Sequence, residues 1–206
     1  HIHRLAVDIG PRPITNEQSI KKTESYITNY FKNIGLQVQL QQYKYSNYNI
    51  ANIIAGSQEN LLSSKYYVIG AHYDSVPETY GADDNASGVS ILINLANSLT
   101  DIKNYNYLLI AFSGEEHGLF GSSYYAKNPT IDLEKVRFMV NFDMVGRLNK
   151  ENTLALNGIG TSSKWEDLIN DANKFDFKLK TTESGIGPSD HTSFYLQDIP
   201  VIHLFT

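Results

Sequence analysis

The chain has 206 residues, 17 basic against 22 acidic side chains and a formal charge of −5, the size of one domain with no basic run suited to nucleic acid. It has no cysteine, which excludes disulfides and thiolate metal sites, and no apolar run near the ~20 residues of a membrane span. A chain of this length buries roughly 70% of its unfolded surface and needs no covalent staple.

The opening HIHRLAVDIG lacks Met and a signal-like apolar stretch, and reads as that of a trimmed or mature chain. Residues 15–34 read as a helix: Thr15 and Gln18 suit a capping box, Ile20, Ile27, Tyr30, Phe31 and Ile34 form the stripe, and Gly35 ends it. Residues 37–45 and 48–55 read as an antiparallel strand pair. Buried strands are expected at 66–71, 107–112 and 137–142, and a last strand at 200–205. Helices are expected at 87–99, with Ile91, Leu92, Leu95 and Leu99 on one face, and at 116–127. Ser163 and Glu166 suggest a second capping box, with Trp165, Leu168, Ile169 and Ala172 inward, and 192–196 suits one helical turn. Apolar runs of four to six residues between helices are strands covered on both faces. The fold class is therefore α/β, a three-layer domain with a mostly parallel sheet between helices.

The polar residues at strand ends carry the chemistry. His72 and Asp74 follow YYVIGA, Asp84 lies in GADDNASG, Glu115 and Glu116 follow YNYLLIAFSG, Asp143 ends FMVNFD, and His191 precedes the last strand. Taken singly, each has a plainer explanation. A lone histidine is usually a surface or hydrogen-bonded residue, an Asp after a strand a cap or turn, and a Glu pair a solvated first helical turn. The plain explanations combine poorly, because the strands deliver these groups to one sheet edge, where ligands bind in open α/β folds. Carboxylates gathered there resist ionisation unless cations bind. Two divalent cations and one hydroxide balance three ligating carboxylates. His72 and Asp74, two apart in an extended segment, face the same way, so Asp74 is placed to accept the free N–H of His72. Glu115 and Glu116 point differently, leaving one free as a base while the other ligates. Oxygen and nitrogen donors suit Zn²⁺ and also Co²⁺ or Mn²⁺.

The stretches IGPR (9–12), GAHYDS (70–75), GADDNASGV (81–89), FSGEEHGLFGS (112–122), NFDMVG (141–146) and SDHTSF (189–194) together resemble the dinuclear zinc aminopeptidase family, which includes the glutaminyl cyclases. The resemblance implies a zinc-exopeptidase-like mixed sheet in a single catalytic domain over 1–206. It implies two Zn²⁺ bridged by Asp84, with His72 and Asp143 completing one site and Glu116 and His191 the other. It implies Glu115 as general base, Asp74 as the partner of His72, and a cis peptide at Asp84–Asn85. The expected substrate is a peptide with a free, apolar N-terminal residue, and the expected location extracellular or periplasmic. The family often has a tyrosine near the site to stabilise the oxyanion, but 181–189 contain none. The family's helix after the last strand is not found before Thr206.

Three other readings compete. A glutaminyl cyclase would use one zinc with the same core. A carboxypeptidase or deacylase would need basic residues for a carboxylate, and only Arg147 lies near the motifs. A binding domain without metals would not need all five ligand positions and Glu115. No GxSxG elbow surrounds Ser113, which argues against a serine hydrolase. His117 reads as a surface residue of a first helical turn, His203 as a hydrogen-bonded strand residue, and His1 and His3 as terminal. Trp165 and the tyrosines read as core or surface aromatics.

Overall fold

The computed structural model describes residues 1–56, 65–102 and 104–206. The strands are β1 (Gln37–Tyr45), β2 (Tyr48–Gly56), β3 (Tyr66–His72), β4 (Asn106–Phe112), β5 (Val136–Phe142), β6 (Thr153–Asn157), β7 (Lys178–Thr182) and β8 (Val201–Phe205). They form one sheet in the order β1-β2-β4-β3-β5-β8-β6-β7. The central run β4, β3, β5 and β8 is parallel, so its carboxyl ends share an edge. β2 joins β4, and β6 joins β8, antiparallel. The sheet is mixed, and helices cover both faces. α1 (Glu17–Asn33) and α2 (Gly88–Leu99) bury Ile20, Ile27, Phe31, Val89, Leu92 and Ile93 against one face. α3 (Phe120–Lys127) and α5 (His191–Tyr195) bring Tyr125 and Phe194 onto Val68, Ile110, Met139 and Val201 on the other. α4 (Trp165–Ala172) sets Trp165 against Phe138, ring centroids 5.1 Å apart.

Several boundaries depart from the sequence reading. α1 is capped by Asn16, whose side chain accepts the Ser19 N–H at 3.2 Å, and the Thr15–Gln18 box does not form. The preceding turn, closed by Asn16 N–H to Pro13 O at 2.8 Å, fixes the first helical residue two positions later than expected. Gly35 does end α1, at φ 87°, with Leu36 N–H bonding back to Phe31 O at 3.0 Å. The helix expected at 116–127 is two pieces. A turn at Glu115–His117 is followed by Gly118 and Leu119 at φ 105° and 60°, and α3 begins only at Phe120. Left-handed residues cannot continue a right-handed helix. The Ser163–Glu166 box is also absent: α4 has no side-chain cap. Leu168 is 49% exposed and borders an open apolar groove over Phe138 and Val140, because two turns of helix cover only part of the sheet beneath. Ala172 also faces out. β6 and β7 were not expected from the sequence.

Candidate metal centre

The parallel register assembles the site. Gly70 pairs with Asn141 and His72 with Phe112, so His72 ends β3 beside the residue that follows β5, Asp143, and beside the loop that follows β4. His72 is fully buried. Its Nε2 hydrogen-bonds Asp143 Oδ1 at 3.3 Å and lies 3.1 Å from Asp84 Oδ1 and 3.9 Å from Glu115 Oε2. One nitrogen facing three carboxylates is the arrangement of donors converging on a cation. Among the described residues, His72, Asp84 and Asp143 offer ligand atoms within 4.8 Å of one another. Glu116 and His191 stand outside that set. Glu116 Oε1 accepts the Val76 N–H at 3.2 Å. Among the described residues, neither ring nitrogen of the buried His191 has a hydrogen-bond partner, and Asp84 Oδ1 has none beyond its approach to His72 Nε2. Buried polar atoms without partners are costly and call for an explanation. A divalent cation supplies it: imidazole and carboxylate oxygens suit zinc, and the unused lone pairs are those a ligand needs. The residues therefore fit the group.

The supports around the site are dense. Asp74 is fully buried, and its carboxylate accepts the backbone N–H of Glu115 at 3.2 Å and of Glu116 at 3.4 Å. His72 Nδ1 lies 3.2 Å from the Asp74 carbonyl oxygen and 3.5 Å from Asp74 Oδ1. Asp74 thus approaches His72 more closely through its main chain than its side chain, and its carboxylate holds the backbone of the Glu pair as well. Asp143 Oδ2 accepts from Ser189 Oγ at 2.7 Å, Ser189 Oγ accepts from Asn141 Nδ2 at 2.8 Å, and Asn141 also meets His203 Nδ1 at 3.2 Å. His203 stacks on His191, centroids 4.4 Å apart and planes 3° apart. Gly187 lies over the same imidazole, and a Cβ there would sit 2.8 Å from His191 Nε2.

The Asp84–Asn85 peptide is cis. Asn85 is buried, donates to Phe142 O at 2.9 Å and accepts the Gly88 N–H at 2.9 Å and the Met144 N–H at 3.3 Å. It therefore ties both sides of Asp143 to the start of α2. Sequence reasoning passed over the side chains of Asn85, Ser189 and Asn141. Each lies within a motif already quoted, but the partner that gives it a role is distant in sequence.

The electrostatics follow from crowding. Burial raises the Glu115 carboxyl well above the ordinary range, opposed by the charge of His72 and reinforced by Asp190, Asp143 and Asp74. Burial and the Asp84 charge bring Glu116 to about 7. For Asp143 burial works upward, but the charge and hydrogen bond of His72 prevail and hold it at about 2. Burial lowers His191 to about 3 and His203 to about 4. His117 packs edge-on against Tyr45 at 5.4 Å and is half-buried, less exposed than expected. Arg147 pairs with Asp83 at 3.2 Å.

Residues 49–206 match the sequence profile of peptidase family M28. Aminopeptidase YwaD of Bacillus subtilis is 34% identical over 157 residues, covering 73% of this chain and 34% of that protein. Leucine aminopeptidase 2 of Trichophyton rubrum is 31% identical over 168 residues, 76% of this chain and 33% of that protein. The chain spans about a third of the length of these curated relatives. The fold superposes on BSAP, a zinc aminopeptidase from Bacillus subtilis, with TM-score 0.87 at 19% identity, covering 99% of this chain and 83% of that one. It also superposes on Porphyromonas gingivalis glutaminyl cyclase with TM-score 0.79 at 22% identity, covering 98% and 79%.

Proposed function

The chain belongs to peptidase family M28, and from that premise we propose that it is a zinc-dependent aminopeptidase releasing an apolar N-terminal residue from peptides. The observation that carries the proposal is the convergence of His72, Asp84 and Asp143 with the half-buried Glu115 carboxylate at one sheet edge. In this reading His72, Asp84 and Asp143 hold one ion, and Asp84, Glu116 and His191 the other. The ions supply Lewis acidity toward the scissile carbonyl and toward water. Co²⁺ or Mn²⁺ is expected to substitute, because no donor is a thiolate.

The chain's own residues handle the proton. Glu115 ligates neither ion and takes a proton from the attacking water as its oxygen bonds to the carbonyl carbon. It returns that proton to the amine nitrogen as the C–N bond breaks. One carboxylate can serve both directions of transfer, first as base and then as acid. Asp74 keeps the backbone of Glu115 and Glu116 in place, so the base and the neighbouring ligand stay on opposite tasks. The acids around the site favour a substrate bearing a free α-ammonium or amine. Arg147, the basic residue that a carboxypeptidase reading would call on, pairs with Asp83.

Leucine-p-nitroanilide is expected to be cleaved with zinc or cobalt supplied, and its N-acetyl form to be inert. Equal cleavage of both would refute the exopeptidase reading. One observation favours a second reading, a glutaminyl cyclase: a single group of three ligands, not two, falls within one ion's reach among the described residues. Inertness toward both anilides with cyclisation of an N-terminal glutamine peptide and one bound zinc would select it.

A further inference from the structure

Arg12 is the largest of the fully buried side chains, and it lies outside the stretch that matches the family profile. A buried cation is costly unless its donors are met. Here they are met by main chain. Nε donates to Tyr73 O at 2.9 Å, Nη1 faces Leu5 O, Gly10 O and Tyr80 O, each at 3.0 Å, and Nη2 donates to Gly81 O at 2.7 Å. Its backbone is locked too: Arg12 N–H donates to Ser75 Oγ at 3.0 Å, and Ser75 N–H to Arg12 O at 3.2 Å.

These acceptors are not scattered. Tyr73 lies between His72 and Asp74, and Tyr80 and Gly81 lead directly into Asp84. Gly81, at φ 57°, packs so closely that a Cβ would lie 2.5 Å from Arg12 Nη2 and 2.7 Å from Asp84 O. One rigid planar fork therefore spans the segment carrying His72 and the segment carrying Asp84. We propose that Arg12 is a positioning residue for the metal site, holding the His72 and Asp84 segments at the separation a cation requires. This inference rests on the metal-peptidase reading.

Charge and geometry act in opposite directions here. A nearby cation repels an incoming metal, so a purely electrostatic role would have Arg12 weaken metal binding. A fork that pre-sets two ligand segments strengthens it, because the ordering cost is met on folding. Arg12→Lys separates the two. Lysine keeps the charge, has three donors instead of five, and lacks the plane.

The experiment compares zinc affinity of apoprotein, by competition with a chelating dye, in the unmodified chain, Arg12→Lys and Phe31→Leu, a core truncation in α1. Metal-free melting temperatures are recorded for each. Arg12→Lys is expected to bind zinc ~10–100-fold more weakly. Phe31→Leu, though also less stable, is expected to bind as the unmodified chain does. Unchanged affinity in Arg12→Lys overturns the proposal, and so does an equal loss in Phe31→Leu. If Arg12→Lys does not fold, Ser75→Ala replaces it, removing the acceptor of the Arg12 N–H. Several-fold weaker binding there supports the proposal, and unchanged binding overturns it. If the unmodified chain binds no zinc, the metal reading falls and this inference with it. If it binds zinc and the variants bind equally, only this inference falls.

Discussion

Glu115 and Glu116 are neighbours with opposite expected tasks, and conservative substitution tells them apart. Glu115→Gln keeps shape and volume and removes only the basic oxygen. It should retain the full metal content by atomic absorption and lose about 10²–10⁴-fold in kcat. Glu116→Gln should lose metal as well as rate. Asp74 supports both. Its carboxylate accepts two backbone N–H groups, and an amide in its place has one acceptor oxygen. Asp74→Asn is expected to fold, with metal affinity or turnover lower by about 10–100-fold. Wild-type values in both would reduce Asp74 to a loop residue. His203 adds a pH dependence to the apoprotein. Burial depresses it from 6.5 to about 4, so between those values the unfolded chain binds a proton that the folded chain refuses. Its contribution is present above pH 6.5 and is lost as pH falls toward 4. His203→Phe removes this one effect, so the urea midpoint at pH 5 relative to that at pH 7 should be higher in the variant than in the unmodified chain.

At the scale of elements, the close approach of α3 to the end of β4 holds the Glu pair where it is. Gly121 makes that approach possible, since a Cβ there would lie 2.5 Å from Ser113 O and 2.6 Å from Asn52 Oδ1. The first of these is backbone and cannot swing aside. Gly121→Ala is therefore expected to cost about 1–3 kcal/mol in denaturant unfolding. Such elements were unequally legible in the sequence. β3, β4 and β5 were read to within one residue because they are short apolar runs with chemistry at their ends. β6 and β7 escaped because polar residues cut the apolar run short in both, and KLKTT at the sheet edge buries nothing fully. The helix at 116–127 was drawn through Gly118 and Leu119 because a left-handed leucine leaves no mark in composition. At the site, His72, Asp84 and Asp143 were legible as residues, and their convergence followed from parallel strands. The roles of Asn85 and Ser189 were not legible, since their partners Phe142 and Asp143 lie 57 and 46 residues away.

For the whole molecule, bound zinc adds to the stability of the native state alone. At a free concentration 100 times Kd the gain is about 2.7 kcal/mol per site. For a chain of this size that corresponds to roughly 5–10 °C in melting temperature, which a chelator should remove. An unchanged melting temperature on chelation would contradict a built metal site. The order in which the chain acquires its shape also follows from the strand register. His72 and Asp143, 71 positions apart in the chain, become neighbours only when β3 and β5 pair in parallel. Non-local pairings of this kind form slowly, and an unstructured chain holds no preformed chelate. Zinc should therefore leave the refolding rate unchanged and slow unfolding by nearly the whole factor that it adds to stability. Stopped-flow chevrons with and without zinc should share a refolding limb and part on the unfolding limb. Refolding that accelerates with zinc would mean that the ligands gather before the sheet closes.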